Sequence, residues 1–124
     1  MDMRVGYVVL YVKNSEECMK FWTEKVGMEL QETTAVGENT IYKVGFSNQR
    51  FSFELVPLDL MKDNPHGLDL ATPSICFYVA DVPALHKRLN SNSIKTTDVA
   101  KRGDKDNFAF CDNEDRWFAV LEEK

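Results

Sequence analysis

The chain states one pattern twice, and that duplication limits the folds open to it. Residues 7–12 read Tyr7-Val8-Val9-Leu10-Tyr11-Val12 and lead through Asn14 into an amphipathic helical stretch. Residues 74–79 read Ser74-Ile75-Cys76-Phe77-Tyr78-Val79 and lead through Asp81 into a second one. Three short strand-like runs follow each helix. A strand–helix–three-strand unit of about 55 residues, repeated once, predicts an α+β fold with a pseudo-two-fold axis. The two βαβββ modules are expected at about 4–57 and 74–122, joined by a hinge at about 58–73 within a single domain spanning 1–124. Corresponding strands of the modules should face one another across a cleft.

The local signals agree with that plan. Alternation over about 4–13 separates Val8, Leu10 and Val12 from Tyr7, Val9 and Tyr11. Asn14 with Glu17 suits a capped helix start, Cys18, Phe21, Trp22 and Val26 supply a buried stripe, and Gly27 suits a left-handed stop. Strands are expected at 28–36 and 40–47, flanking Gly37-Glu38-Asn39, and at 50–57, stopped by Pro57. In the second module Asp81 caps a helix that tolerates Pro83 in its first turn, with Val82, Leu85 and Leu89 inward. Strands near 95–100, 107–111 and 116–122 complete it.

At 124 residues the chain suits one well-cored domain. A net charge of −5 without a basic run argues against nucleic acid as a partner. No apolar run approaches the ~18 residues of a membrane helix. Met1-Asp2-Met3-Arg4 leads straight toward a strand, with no basic leader and apolar core, which predicts a cytoplasmic protein. The odd set Cys18, Cys76 and Cys111 lacks paired spacing and reads as reduced, buried thiols.

Alternation also nominates the side chains of the cleft. The first strands give Tyr7, Val9 and Tyr11, then Ser74, Cys76 and Tyr78. The last strands give Ser52, Glu54 and Val56, then Trp117, Ala119 and Leu121. Aromatic walls with few polar groups suit a small-molecule pocket. Tyr7, Tyr11 and Trp117 equally suit the plain filling of a sheet face. Glu54, set within Phe51-Ser52-Phe53-Glu54-Leu55-Val56, must reach solvent in the cleft or be paired, for instance by the Tyr7 hydroxyl. Cys76 can meet electrophiles or lie inert, His66 reads as a loop residue, and His86, beside Lys87 and Arg88, reads as solvated.

Leu10-Tyr11-Val12-Lys13-Asn14 followed by Phe21-Trp22-Thr23-Glu24-Lys25-Val26-Gly27-Met28-Glu29-Leu30, together with Phe110-Cys111-Asp112-Asn113-Glu114-Asp115-Arg116-Trp117-Phe118-Ala119-Val120, resembles the vicinal-oxygen-chelate superfamily. That group includes glyoxalase I, extradiol dioxygenases and bleomycin-resistance proteins. The resemblance implies paired βαβββ modules around an open, barrel-like cleft, usually completed in a homodimer. It places the divalent-metal ligands of the enzymatic members at Tyr7, Glu54, Ser74 and Ala119. Only Glu54 retains a suitable donor, so neither a metal nor any other cofactor is expected, and no catalytic residue is assigned.

The reading that results is a metal-free small-molecule-binding protein, similar to the bleomycin-resistance branch, sequestering an aromatic or cationic antibiotic-like ligand. Tyr7, Tyr11, Glu54, Ser74, Cys76 and Trp117 are its expected ligand-binding residues. A lyase, isomerase or dioxygenase with an unusual metal-ligand set is one competing class. A sensor or protein-interaction module is another.

Overall fold

Both modules form, and each is built the same way. A computed structural model describes residues 3–123, and the chain divides into two compact units after Thr72. In the first unit β1 (Val8–Val12) leads to α1 (Ser15–Lys20) and on to β2 (Glu29–Val36), β3 (Asn39–Gly45) and β4 (Ser52–Pro57). Its sheet has the order β1-β4-β3-β2, with β1 parallel to β4. In the second unit β5 (Cys76–Val79) leads to α2 (Val82–Ser91), then β6 (Ala100–Arg102), β7 (Lys105–Cys111) and β8 (Trp117–Glu122). Its order, β5-β8-β7-β6, repeats the first, and β5 is parallel to β8.

The parallel registers identify equivalent residues. Val9 lies beside Glu54, and Cys76 beside Ala119. Tyr11 and Tyr78 therefore correspond, as do the apolar pairs Phe53/Phe118 and Leu55/Val120. The latter four residues are buried against the helices. Trp22 meets Phe53 at 5.0 Å in the first unit, and Phe110 stacks on Phe118 at 5.6 Å in the second. Each fully buried aromatic contributes up to about 3 kcal/mol of transfer free energy. Polar–apolar alternation is thus converted into one packed face per sheet.

Caps behave as the residue types dictate. The Asn14 side chain accepts from the Glu17 backbone N–H at 3.0 Å, and Asp81 from that of Ala84 at 3.0 Å. Both satisfy amide groups that a first helical turn leaves open. Gly27 takes φ +102 to end the first helix. The tight turns between β2 and β3 and between β6 and β7 each open on a glycine of positive φ, Gly37 at +61 and Gly103 at +66, which short hairpins favour.

Several expected elements differ. The first helix is α-helical only to Lys20 and continues as a π-helical segment, Phe21–Val26. From cap to left-handed residue this helix, Asn14 to Gly27, is one residue longer than its counterpart, Asp81 to Ser93. Widening the turn absorbs that residue and keeps both Phe21 and Trp22 buried. Residues 4–7 lie outside β1, whose pairing begins at Val8 with Phe53. The strand expected at 95–100 is reduced to a single bridge, Thr96 to Phe110, and the edge strand forms at 100–102 instead. His86 is not simply solvated: its ring meets Phe108 edge-on at 5.1 Å, and Nε2 lies 2.9 Å from the Thr97 carbonyl. Cys76 is exposed, contrary to a wholly buried set of thiols, because it lies on the sheet face away from α2.

Candidate functional site

Six residues nominated from sequence fall three to each unit, and those on the strands lie on the sheet face opposite the unit's helix. In the first unit, Glu54 on β4 stands beside Val9 on β1 and across from Lys43 on β3. Paired residues in a sheet project to the same side, so Val9, Lys43 and Glu54 form one row. Tyr11 belongs to the next row of that face and is half-buried. Tyr7 joins the face from the segment before β1, its ring covered by the Lys43 ammonium at 4.4 Å from the centroid.

Lys43 changes the site that the sequence suggested. Among the described residues no hydrogen bond joins the Tyr7 hydroxyl to Glu54; the lysine stands in that neighbourhood instead. Its Nζ also lies 3.8 Å from Glu32 Oε2 on β2. Sequence reasoning took only the first and last strands of each module as cleft walls and so passed over β3. The available signal was a lone charge within Thr40-Ile41-Tyr42-Lys43-Val44-Gly45, on the alternate positions from Val44. A bulge between Leu30 and Glu32 adds Gln31 to this surface. There the Ser52 hydroxyl bonds to Gln31 Oε1 at 2.5 Å. A Cβ on Gly45 would come within 2.8 Å of the Gln31 side-chain nitrogen and 2.7 Å of the Phe51 carbonyl, so only glycine lets that amide settle here.

The equivalent row of the second unit is apolar. Where the first has Lys43 opposite Glu54, the second has Ala109 opposite Ala119, with Cys76 alongside. Above this floor of small side chains stand Trp117, 45% exposed, and Tyr78, 64% exposed. Lys95, from the segment after α2, reaches to 5.8 Å from the Trp117 ring centroid. Ser74 precedes β5 and is exposed.

Trp117 is held at the mouth of a rigid turn. Asp112 is buried; its Oδ1 accepts from the backbone N–H of Glu114 at 2.8 Å and of Arg116 at 2.9 Å. The Arg116 guanidinium donates to Asp112 at 3.2 Å and to Glu114 at 3.1 Å. Burial disfavours the Arg116 charge, but the two carboxylates outweigh it and hold the group above its ordinary pKa. Cys111, just before the turn, is buried, and burial with the Asp115 and Asp112 charges pushes its thiol pKa up.

The four positions at which metal ligands would fall do not suit a divalent ion. Ala119 offers no lone pair, and a lysine ammonium already sits on Tyr7 and opposite Glu54, where it would repel a cation. Among the described residues no group of three His, Cys, Asp or Glu side chains is placed to hold an ion. No helix of the described residues is long and apolar enough to cross a membrane.

Comparison with known proteins places this geometry in a family. The chain is 25% identical over 96 residues to the uncharacterized protein YetH of Bacillus subtilis (strain 168), covering 77% of each. It superposes on the crystal structure of UcmS2 with a TM-score of 0.82 at 19% identity, covering 99% of this chain and 100% of the other. It superposes on TnmS3, an antibiotic binding protein from Streptomyces sp. CB03234, with a TM-score of 0.81 at 16% identity, covering 100% and 99%. Such identities carry the fold alone. The family model described as Glyoxalase/Bleomycin resistance protein/Dioxygenase superfamily matches residues 4–120, and the chain, with its two βαβββ modules, belongs to that superfamily.

Proposed function

We propose that this protein binds a planar aromatic small molecule and holds it without changing it. The observation that carries the reading is the second unit's open sheet face, where Trp117 and Tyr78 stand exposed around the small side chains of Cys76, Ala109 and Ala119. A flat floor edged by aromatic rings offers a planar ligand both apolar area and stacking, the latter worth about 0.5–1.5 kcal/mol beyond area burial. The first unit's own face, taken by itself, carries charge at Glu54 and Lys43, a setting for a polar or charged group. Ser74 belongs to the second unit's proposed contacts, and Tyr7 and Tyr11 to those of the first. An antibiotic-binding protein among the structural neighbours supports sequestration as the role, exercised by a cytoplasmic, metal-free homodimer.

Titration with a panel of planar aromatic amines, read by tryptophan fluorescence and melting temperature, tests this. Binding should quench Trp117 and be weakened by Trp117→Ala, while Trp22, fully buried, contributes a constant background. A panel that changes neither signal, or affinity indifferent to Trp117→Ala, refutes the reading.

A further inference from the structure

The first unit's face holds a cation of its own. Lys43 Nζ lies over the Tyr7 ring at 4.4 Å from its centroid, well inside the ~6 Å reach of a cation–π contact. Glu32 Oε2 is 3.8 Å away, and Glu54 is its cross-strand partner. The lysine side chain is only 27% exposed, against 59% for Glu32, so the ammonium is drawn in over the ring rather than out to its exposed partner. One ring face and one carboxylate hold the ammonium, with Glu54 next to it in the strand register, and together they make a monocation subsite with a resident occupant. The corresponding row of the second unit, Ala109 and Ala119, has neither lysine nor carboxylate, and Lys95 there lies farther from its ring, at 5.8 Å from the Trp117 centroid.

We propose that Tyr7, Glu32 and Glu54 form a subsite for the weakly hydrated cationic group of a ligand, quaternary ammonium or guanidinium, and that Lys43 fills it in the free protein and is displaced on binding. Displacement is feasible because Lys43 hangs on a flexible four-carbon stem that can swing to solvent, where its strongly hydrated ammonium is well accommodated. The incoming cation then inherits the ring and the Glu32 carboxylate, with Glu54 beside it on the neighbouring strand. Exchange of one cation–π contact for another leaves little net gain, so Lys43 lowers affinity for cations generally. It also selects among them. A quaternary ammonium or guanidinium gives up less hydration than a primary ammonium and therefore competes better with the lysine. This inference rests on the small-molecule reading above and adds to it the charge class of the ligand and the residue that sets the discrimination.

The test uses the full chain as wild type, as Lys43→Gln, and as Lys43→Gln combined with Tyr7→Leu. Benzyltrimethylammonium is the cationic probe and benzyl alcohol the neutral one. Lys43→Gln should tighten the cation by about three- to tenfold, within the range of one cation–π contact, and leave benzyl alcohol within about twofold. Adding Tyr7→Leu should abolish the gain. A second readout needs no variant: in wild-type protein the Lys43 side-chain methylene NMR signals, shielded by the Tyr7 ring, should move toward unshielded positions as the cation is added. Unchanged or weaker cation binding in Lys43→Gln, a gain that survives Tyr7→Leu, or Lys43 signals that stay shielded at saturation would each overturn the proposal. Benzyl alcohol binding without the cation gain removes this inference alone. Failure of both probes on every variant removes the small-molecule reading with it.

Discussion

Ser93→Gly should stabilise the protein, because the two helices end at equivalent places with unequal residues. The first ends on Gly27 at φ +102, the second on Ser93 at φ +61. Around Ser93 the chain makes the turn-closing bonds of a left-handed helix stop: the Ser93 N–H donates to the Asn90 carbonyl at 3.1 Å and the Ile94 N–H to the Leu89 carbonyl at 3.0 Å. Ile94 then folds into the core at 4% exposure, as Met28 does after Gly27 at 3%. The serine is thus fixed in a region that costs an L-residue roughly 1–2 kcal/mol. Glycine removes that strain but brings an unfolded-state entropy penalty of about 0.5–1 kcal/mol. The expected net gain is about 0.5–1 kcal/mol. With an unfolding entropy of about 2.1 cal/mol/K per residue, that gain raises Tm by roughly 2–4 °C for a chain of this length. Urea unfolding should show the same gain as a higher midpoint at unchanged m-value. Gly27→Ala, made alongside, should lose about 0.5–1 kcal/mol by the same accounting. A neutral or destabilising Ser93→Gly would refute the claim that this stop is strained by its side chain.

Three further outcomes follow from the structure. Arg116→Leu should cost about 3–5 kcal/mol by chemical denaturation, since Asp112, whose side chain is 1% exposed, loses the guanidinium that balances its charge; a loss below about 1 kcal/mol would show the turn to be held by its backbone bonds alone. Native protein at pH 8 should take up one equivalent of iodoacetamide, at Cys76, because Cys18 and Cys111 are buried and burial with the neighbouring Asp115 and Asp112 charges pushes the Cys111 pKa up; mass mapping that finds Cys111 labelled as fast as Cys76 would contradict this. Light scattering at micromolar concentration should report a dimer, since β2 is an edge strand exposed along its whole length with Leu30 and Val36 uncovered, and long bare edges are seldom left unprotected; a monomer would count against it.

The sequence by itself determined what short-range physics controls. Strand alternation sorted Phe53, Leu55, Phe118 and Val120 inward, Asn14 and Asp81 announced helix starts by side-chain chemistry, and Gly27 announced a stop by its freedom at positive φ. The repeated order of these signals was enough to predict the duplicated α+β fold. Only the tertiary structure decided what depends on which residues face one another from distant parts of the chain. Lys43 became the neighbour of Tyr7 and Glu54 through β3–β4 register, which no local window contains. The π-helical widening before Gly27 arose because a helix one residue longer must still put Phe21 and Trp22 into the same core, and the late start of β6 because only 100–102 pairs continuously with β7. Caps and alternation act over a few residues; register and packing are settled by the summed burial of a whole sheet face, and that sum is where the site's charge was fixed.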